Sequence, residues 1–316
     1  MKALIIGGAG FVGKYLIDEL QNFGYEVCAT CLPNEKINAE CDVFNLDIME
    51  QKSISELLEK TSPDFVFHLA AQSSVAFSWK NPQLTVDVNI KGTVNLLEAF
   101  RFYERNSRLI VIGSGEEYGF IDKNSVPLKE SEKLNPANVY AVTKACQEML
   151  CGIYVRAYGK DIVMTRSFNH SGAGQSDTFV ISDFCRQIAE IERGKRPPEM
   201  WVGNLSAMRD FTDVRDVARA YRLLAEKGTK GKVYNVGRGK AVTIQHILDT
   251  AISLSDVKID VKQDPSKMRA SDIPIIEPDV SEIYSDTGWS ALVSLEQTVK
   301  DTLDYWRNYT DSERRS

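Results

Sequence analysis

A chain of 316 residues can bury one large core or two modest ones, and its composition, 43% hydrophobic and 26% charged, is that of an ordinary water-soluble globular protein. The formal charge of −6, with Lys and Arg scattered among the acids, offers no basic stripe for nucleic acid, and the longest apolar runs (LIIGGAGFVG, FVFHLAA, RLIVIG) are too short to span a bilayer. Of six Cys only Cys28 and Cys31 form a C-x-x-C, with no second pair to complete a zinc site and only three His in the chain, so no metal is expected and the thiols read as reduced ones of the cytoplasm.

The opening MKALIIGGAGFVGKYL has an apolar stretch like a signal peptide's, but its periodic glycines and the amphipathic helix behind them read as mature structure. KALII reads as a strand, 11–23 as a helix, YEVCAT as a strand, 54–60 as a helix and DFVFHLAA as a strand. A helix over 84–105, the strand RLIVIGS, a helix over 139–158 and the strand DIVMTRS follow. Strands that are continuous apolar runs, each followed by a helix, predict a doubly wound α/β domain over 1–167, its parallel sheet covered on both faces. Beyond Ser167 the rhythm is irregular: a loop FNHSGAGQSDT, a helix over 179–193, a short strand at MWVGN, RDFTDVRDVARAYRLLAEKG as a further helix, and a polar end, DSERRS, expected to fray. Residues 168–316 are therefore expected to form mainly a smaller cap, with stretches near 209–237 and 275–290 returning to the first domain.

Chemistry enters at GGAGFVG, where Gly7, Gly10 and Gly13 stand between the first strand and the first helix. Glycines so placed permit a tight turn, close approach of backbone to a pyrophosphate and helix-to-strand packing, while the helix N-terminus favours an anion; this predicts a Rossmann-type dinucleotide site. The acid that usually takes the adenosine ribose about 20 residues on is missing, because that place reads Thr30-Cys31-Leu32-Pro33. Glu35 for ribose hydroxyls and Lys36 for a 2′-phosphate both stay open beside a plain loop role. Asp47 is placed to reach an adenine amino group or to cap its strand end. In YAVTK, Tyr140 and Lys144 lie four apart and share a helix face, where a cation beside a phenol makes it a usable acid or base. Ser114 ends the strand before them.

The combination of GGAGFVG, HLAAQSS (68–74), DVNIKGT (87–93), Ser114 four residues before Tyr118, and YAVTK resembles the extended short-chain dehydrogenase/reductase family of nucleotide-sugar enzymes over nearly the whole chain. The resemblance implies NAD(H) or NADP(H), held by Gly7, Gly10, Phe11, Val12, Gly13, Cys31, Asp47, Ile48, Leu69, Ala70, Ala71, Asn89, Tyr140 and Lys144. It makes Tyr140 the catalytic acid or base, Lys144 the residue that holds the nicotinamide ribose and lowers the tyrosine pKa, Ser114 the partner of the sugar C4 oxygen, and Asn89 the residue ordering the helix beside the cofactor. Phe168-Asn169-His170, Phe179-Val180, Gly203-Asn204-Leu205 and Arg209-Asp210-Phe211-Thr212-Asp213 are similar to the GDP-mannose branch, implying substrate contacts at Ser73, Ser114, Glu116, Asn169, Val180, Asn204, Arg209 and Arg269. The plain alternatives are an ion pair from Arg209 to Asp213 or Asp216, a turn role for Asn169 and a loop contact for His170. Enzymes of this kind pair the two helices bearing Asn89 and Tyr140 with their copies as a four-helix bundle, and Leu96, Phe100, Met149 and Tyr154 supply an apolar stripe compatible with a homodimer or with ordinary core.

Two reactions use this frame. GDP-mannose 4,6-dehydratases need an additional acid/base group, a Glu two residues before Tyr-Gly paired with a Ser or Asp just ahead of it. Glu116 stands at the Glu position, but Gly115 precedes it, and the long dehydratase segment after the second strand is replaced by LPNEKINAE. SFNHSGAGQ, FVISDF and GNLSAMRDFTDVRD look similar to GDP-6-deoxy-4-keto-D-mannose reductases, so the resemblance implies reduction of the 4-keto group of a GDP-linked 4-keto-6-deoxy-mannose to GDP-D-rhamnose, with catalytic roles for Ser114, Tyr140, Lys144 and conditionally Glu116. A dehydratase or an epimerase is the alternative. A cofactor-sensing protein without turnover is disfavoured by the intact Ser114, Tyr140 and Lys144.

Overall fold

A computed structural model of the chain describes residues 1–121, 125–265 and 273–309. Its first half alternates β1 (Lys2–Ile6), α1 (Phe11–Asn22), β2 (Glu26–Cys31), β3 (Asp42–Asn45), α2 (Gln51–Thr61), β4 (Phe65–His68), α3 (Val75–Lys80), α4 (Pro82–Val86), α5 (Gly92–Phe102), β5 (Arg108–Ser114), α6 (Val139–Tyr158) and β6 (Asp161–Ser167). The second half runs β7 (Asn169–Ser171), α7 (Val180–Glu192), β8 (Glu199–Val202), β9 (Met208–Asp213), α8 (Val214–Lys227), β10 (Val233–Val236), β11 (Ala241–Thr243), α9 (Ile244–Ser253), β12 (Asp260–Gln263), β13 (Ile275–Ile276), α10 (Ser281–Thr287) and α11 (Leu295–Asn308).

A seven-stranded parallel sheet in the order β10-β6-β5-β4-β1-β2-β3 forms the centre. The continuous apolar runs explain it: successive strand residues face opposite sides, and both sides are covered. Ala3 and Ile5 pack with Leu16, Ile17 and Leu20 of α1 and Val217, Tyr221 and Leu224 of α8. Leu4 and Ile6 point the other way, into Ile54 and Leu58 of α2, Leu96 and Phe100 of α5, and Cys151 of α6. Each such fully buried aliphatic side chain contributes about 1.5–3 kcal/mol.

The helix expected over 84–105 is α4 and α5 joined by a π-helical turn, Asp87–Lys91, with Asn89 inside it. The helix expected from Arg209 onward begins only at Val214. Met208–Asp213 is instead strand β9, pairing with β7, β11 and β13, and the Asp213 carboxylate accepts from the Arg215 N–H to cap α8. Of the stretches expected near the first domain, Val233–Val236 joins the large sheet beside β6 and α8 packs on α1, while β9 belongs to the smaller sheet. A third core is built from α7, α9 and α11 around Phe184, Ile188, Leu248, Val299 and Leu303.

Of the stripe compatible with a second copy or with ordinary core, Leu96, Phe100 and Tyr154 lie in the chain's own core, while Met149 is exposed. The open apolar stripe of α6 runs through Val142, Met149 and Ile153. No helix among the described residues is long and apolar enough to cross a membrane.

Arg166 of β6 ties the sheet to α6. Its guanidinium makes paired bonds to Glu148 at 2.7 and 2.8 Å and donates to the Tyr118 hydroxyl and the Glu130 carbonyl. Arg166→Met strips the Glu148 carboxylate of its partner and is expected to cost about 3 kcal/mol, read as a lowered midpoint in chemical denaturation.

Candidate active site

The carboxyl end of the large sheet gathers the predicted residues. Gly7 takes φ +90°, a conformation costly for any side chain, and a Cβ there would lie 2.6 Å from the Ala70 nitrogen. The turn is pinned by bonds from the Gly7 N–H to Thr30 Oγ1 and from the Gly8 N–H to the Thr30 carbonyl, and both Leu69 and Ala70 donate to Ile6. A Cβ on Gly13 would approach the Gly8 carbonyl to 2.3 Å, so helix and turn are in direct backbone contact. Gly10 is the N-cap of α1 and no side chain caps that terminus, which leaves the first amides, from Phe11 and Val12, to an anion. This cradle, which any Cβ at Gly7 or Gly13 would disrupt, fits the pyrophosphate of a dinucleotide.

The other expected cofactor residues surround it unevenly. Cys31 is buried at the end of β2, its thiol near the Glu35 carbonyl and Asn45. The Glu35 carboxylate accepts from the Leu32 N–H at 3.0 Å, so it caps its own turn at that strand end. Asp47 is exposed and accepts from the Met49 N–H, while Ile48 is buried against Gly92. Ala71 continues the loop after β4. Asn89 binds that loop from the π turn: its side chain accepts from the Gln72 N–H and donates to the Gln72 carbonyl and to Thr143 of α6. A side chain in an α-helical turn points back along the helix; the π turn re-aims Asn89 so that one amide joins β4, α5 and α6.

Ser114, Tyr140 and Lys144 converge. Ser114 ends β5 opposite Ser167 of β6. Its backbone N–H donates to Glu117 Oε1 at 2.6 Å, and its hydroxyl accepts from the Glu116 N–H and lowers the pKa of the nearby Tyr140 phenol. Lys144 Nζ donates to the Ile112 carbonyl at 2.7 Å and to Gln147 Oε1 at 3.0 Å. Burial pushes the lysine pKa down to about 8. The Tyr140 phenol is pushed up by burial and by the carboxyls of Glu117 and Glu116, against the lowering effect of Ser114. Burial therefore outweighs any lowering of the tyrosine pKa, while Lys144 Nζ lies one helical turn on, bonded to Ile112 and Gln147. The upward shift favours the neutral phenol, the form that gives a proton.

Glu116 is steadied by Asn138, whose Nδ2 donates to Glu116 Oε2 at 3.1 Å while its Oδ1 caps α6 at the Ala141 N–H. Gly115 packs on Phe168: a Cβ at 115 would meet three ring atoms at 3.0–3.1 Å. Of the expected substrate residues, Ser73 is exposed on the loop before α3, and Asn169 is exposed on β7 opposite Phe211 of β9. Arg209 donates to the carbonyls of Met208 and Ile273. Asp213 and Asp216, its alternative partners, are paired with Arg215 and Arg219. Val180 opens α7 and packs on the third core, and Asn204 accepts from the Ser206 N–H and hydroxyl. His170 stacks on Phe11 with ring centroids 6.2 Å apart. Arg269 lies outside the described residues.

The family model described as GDP-mannose 4,6 dehydratase matches residues 4–302. The chain belongs to that family. It is 31% identical to a Pseudomonas aeruginosa GDP-6-deoxy-D-mannose reductase, covering 97% of each chain, and 28% identical to a Vibrio cholerae GDP-mannose 4,6-dehydratase, covering 95% of this chain and 92% of that one. Among solved structures, RMD from Pseudomonas aeruginosa complexed with NADPH superposes with TM-score 0.87 at 31% identity, covering 97% of this chain and 99% of that one. The Thermus thermophilus UDP-glucose 4-epimerase complex with NAD gives 0.87 at 26%, covering 98% and 100%. The GDP-mannose 4,6 dehydratase family consists of nucleotide-sugar-modifying enzymes, and its parallel-sheet fold is the one described above.

Three residues of this site were not singled out from sequence: Glu117, Asn138 and Gln147. Asn138 had a signal, a capping residue immediately before a helix; the other two had none, because only the packing of α6 on β5 buries them. Gly7→Ala is expected to displace the turn from Ala70 and weaken binding of a nicotinamide dinucleotide at least about tenfold, about 1.4 kcal/mol, in a fluorescence titration, with far-ultraviolet dichroism unchanged.

Proposed function

We propose that the protein is an NAD(P)H-dependent 4-keto reductase that converts a GDP-linked 4-keto-6-deoxy-mannose to GDP-D-rhamnose. The observation that carries this reading is Gly115 against Phe168. The dehydratase reaction calls for a Ser or Asp immediately before the Glu; here that place is Gly115, and a side chain there would press on the Phe168 ring at 3.0–3.1 Å. Glu116, held by Asn138, then serves the loop more than elimination.

The glycine cradle would hold the pyrophosphate of NADH or NADPH, which when bound would supply a hydride for the sugar C4. Tyr140 gives its phenolic proton to the C4 oxygen, and a neutral phenol is the form that this direction of reaction needs. Ser114, beside the phenol and fixed at the end of β5, donates to the same oxygen and orients it. Lys144 keeps a positive charge one helical turn from Tyr140 and stabilises the phenolate left behind. Asn169 and Arg209, on the neighbouring strands β7 and β9, are read with Val180, Asn204 and Arg269 as the contacts to the GDP portion; a guanidinium suits a diphosphate through paired bonds. The exposed stripe Val142, Met149 and Ile153 of α6 is read as the face that meets a second copy.

With GDP-4-keto-6-deoxymannose the purified protein is expected to oxidise NADH or NADPH stoichiometrically, read as loss of reduced-nicotinamide absorbance. Tyr140→Phe should remove this activity while leaving cofactor affinity intact, and Glu116→Gln should keep most of the rate. A 4-keto sugar formed from GDP-mannose without net cofactor consumption, and lost in Glu116→Gln, would overturn the reading in favour of the dehydratase. Met149→Glu should shift the protein toward monomer in sedimentation if α6 forms the dimer face.

A further inference from the structure

Helix α6, which carries Tyr140 and Lys144, begins at a residue that does more than start it. Asn138 is extended, with φ −153° and ψ 166°; its Oδ1 accepts from the Ala141 N–H at 2.8 Å, and its Nδ2 donates to Glu116 Oε2 at 3.1 Å. This is the one orientation of the amide that suits both neighbours, because Ala141 offers a donor and Glu116 an acceptor. Asn, Asp, Ser and Thr all cap helices well. Of the four, Asp has no donor to give, and a Ser or Thr hydroxyl would have to serve both partners from one atom; Asn alone carries an acceptor and a donor on separate atoms. Both Asn138 and Glu116 are half-buried, where a bond to a carboxylate is less screened than at the open surface.

We propose that Asn138 is a positioning residue for proton transfer: its amide fixes the first turn of α6, and so Tyr140, against the turn that presents Ser114. The link passes through Glu116, whose backbone N–H donates to the Ser114 hydroxyl at 3.2 Å and whose carboxylate takes the Asn138 amide. The two residues read as partners of the C4 oxygen are thereby joined by one short run of hydrogen bonds. The course of the chain makes the contact. The segment between β5 and α6 returns to the turn it left, with the Asn135 N–H on the Tyr118 carbonyl at 3.2 Å and the Phe120 N–H on the Asn135 carbonyl at 3.0 Å. Three residues later Asn138 meets Glu116. Lys144 ties the same helix to the Ile112 carbonyl one turn beyond Tyr140. Held only there, the first turn would be free to fray, as helix ends do; the second attachment, at the cap, fixes it. Glu116 is on this reading an acceptor that moves no proton, which accounts for a carboxylate beside a reaction whose proton comes from Tyr140.

The proposal rests on the reading of Tyr140 as the proton donor, and a swap of the hydrogen bond tests it. Asn138→Asp keeps the acceptor that caps α6 but sets a second carboxylate against Glu116; adding Glu116→Gln supplies an amide that donates in the opposite direction. With the GDP-linked 4-keto sugar, kcat is expected to fall about ten- to a hundredfold in Asn138→Asp, the loss that a misplacement of about 1 Å brings. The double variant should recover most of it, with the affinity for NADH or NADPH, measured by fluorescence, held throughout. In the unliganded protein the ζ-carbon resonance of Tyr140, assigned by its disappearance in Tyr140→Phe, should move in Asn138→Asp and return in the double variant. Wild-type kcat in Asn138→Asp overturns the proposal, as does a loss that Glu116→Gln does not rescue. Cofactor affinity falling in step with kcat also overturns it, since Asn138 would then be only a helix cap. If Asn138→Asp does not fold, Asn138→Gly, which caps nearly as well, removes the tether without adding charge and is judged by the same kcat and resonance. A resonance that moves and returns in a protein that does not reduce the 4-keto sugar would retain the tether and discard the reductase reading.

Discussion

The hydrogen bond from Lys144 Nζ to the carbonyl of Ile112 fixes the geometry on which the site depends, because it locks α6 to the carboxyl end of β5 in the sheet's interior. A charge-assisted bond in a water-excluded place is stronger than its equivalent at the surface, and leaving either partner alone there is costly. With the helix so held, Tyr140 falls one turn earlier, beside Ser114 at the strand's last residue. Asn138, at the helix cap, then lands within reach of Glu116. The need for a second polar acceptor explains why Gln147, one turn past the lysine and 1% exposed, is an amide on a helix face that otherwise packs apolar side chains.

The sheet was legible from residues alone because its strands are continuous apolar runs, and the Ser114, Tyr140 and Lys144 group was legible because its spacing is local. The strand Met208–Asp213 was not. RDFTDVRDVARAYRLL carries charges at spacings that suit a helix, and what makes its first part a strand is pairing with β7, β11 and β13, whose residues lie up to about 70 positions away in the chain. The apolar stripe over Leu96, Phe100, Met149 and Tyr154 was compatible with a second copy or with core for a related reason. Helix α6 is apolar on two sides, and periodicity does not say which side meets the chain's own sheet. Tyr154 went inward and Met149 outward. Glu117 was hidden because an acidic pair in GSGEEYG reads as solvated, whereas the turn after β5 sends Glu116 toward the helix cap and Glu117 beneath the strand end.

That same turn links the catalytic strand to the second half of the chain. Phe168 follows β6 directly, and its ring lies on Gly115 and against Tyr118, whose hydroxyl bonds Arg166 and Asn235. A side chain at 115 would press on the Phe168 ring at 3.0–3.1 Å and require it to give by a few tenths of an ångström, so the glycine before Glu116 lets the two halves pack closely at this contact.

The cofactor cradle has its own tie to the second half. Phe11, the first residue of α1, stacks on His170 of β7, and the Tyr15 hydroxyl donates to the Ala173 carbonyl at 2.7 Å. His170 is anchored in turn through the Phe168 carbonyl and by Gln175 on its own carbonyl. Burial lowers its pKa, which keeps the ring neutral and suited to stacking. The helix whose N-terminus fits a pyrophosphate is therefore braced by the segment that carries Asn169, and Asn169 sits on the strand paired to the one bearing Arg209. A displacement of the smaller sheet would thus strain the cradle and the proposed sugar-nucleotide contacts together, since a packed interior transmits such a shift rather than absorbing it.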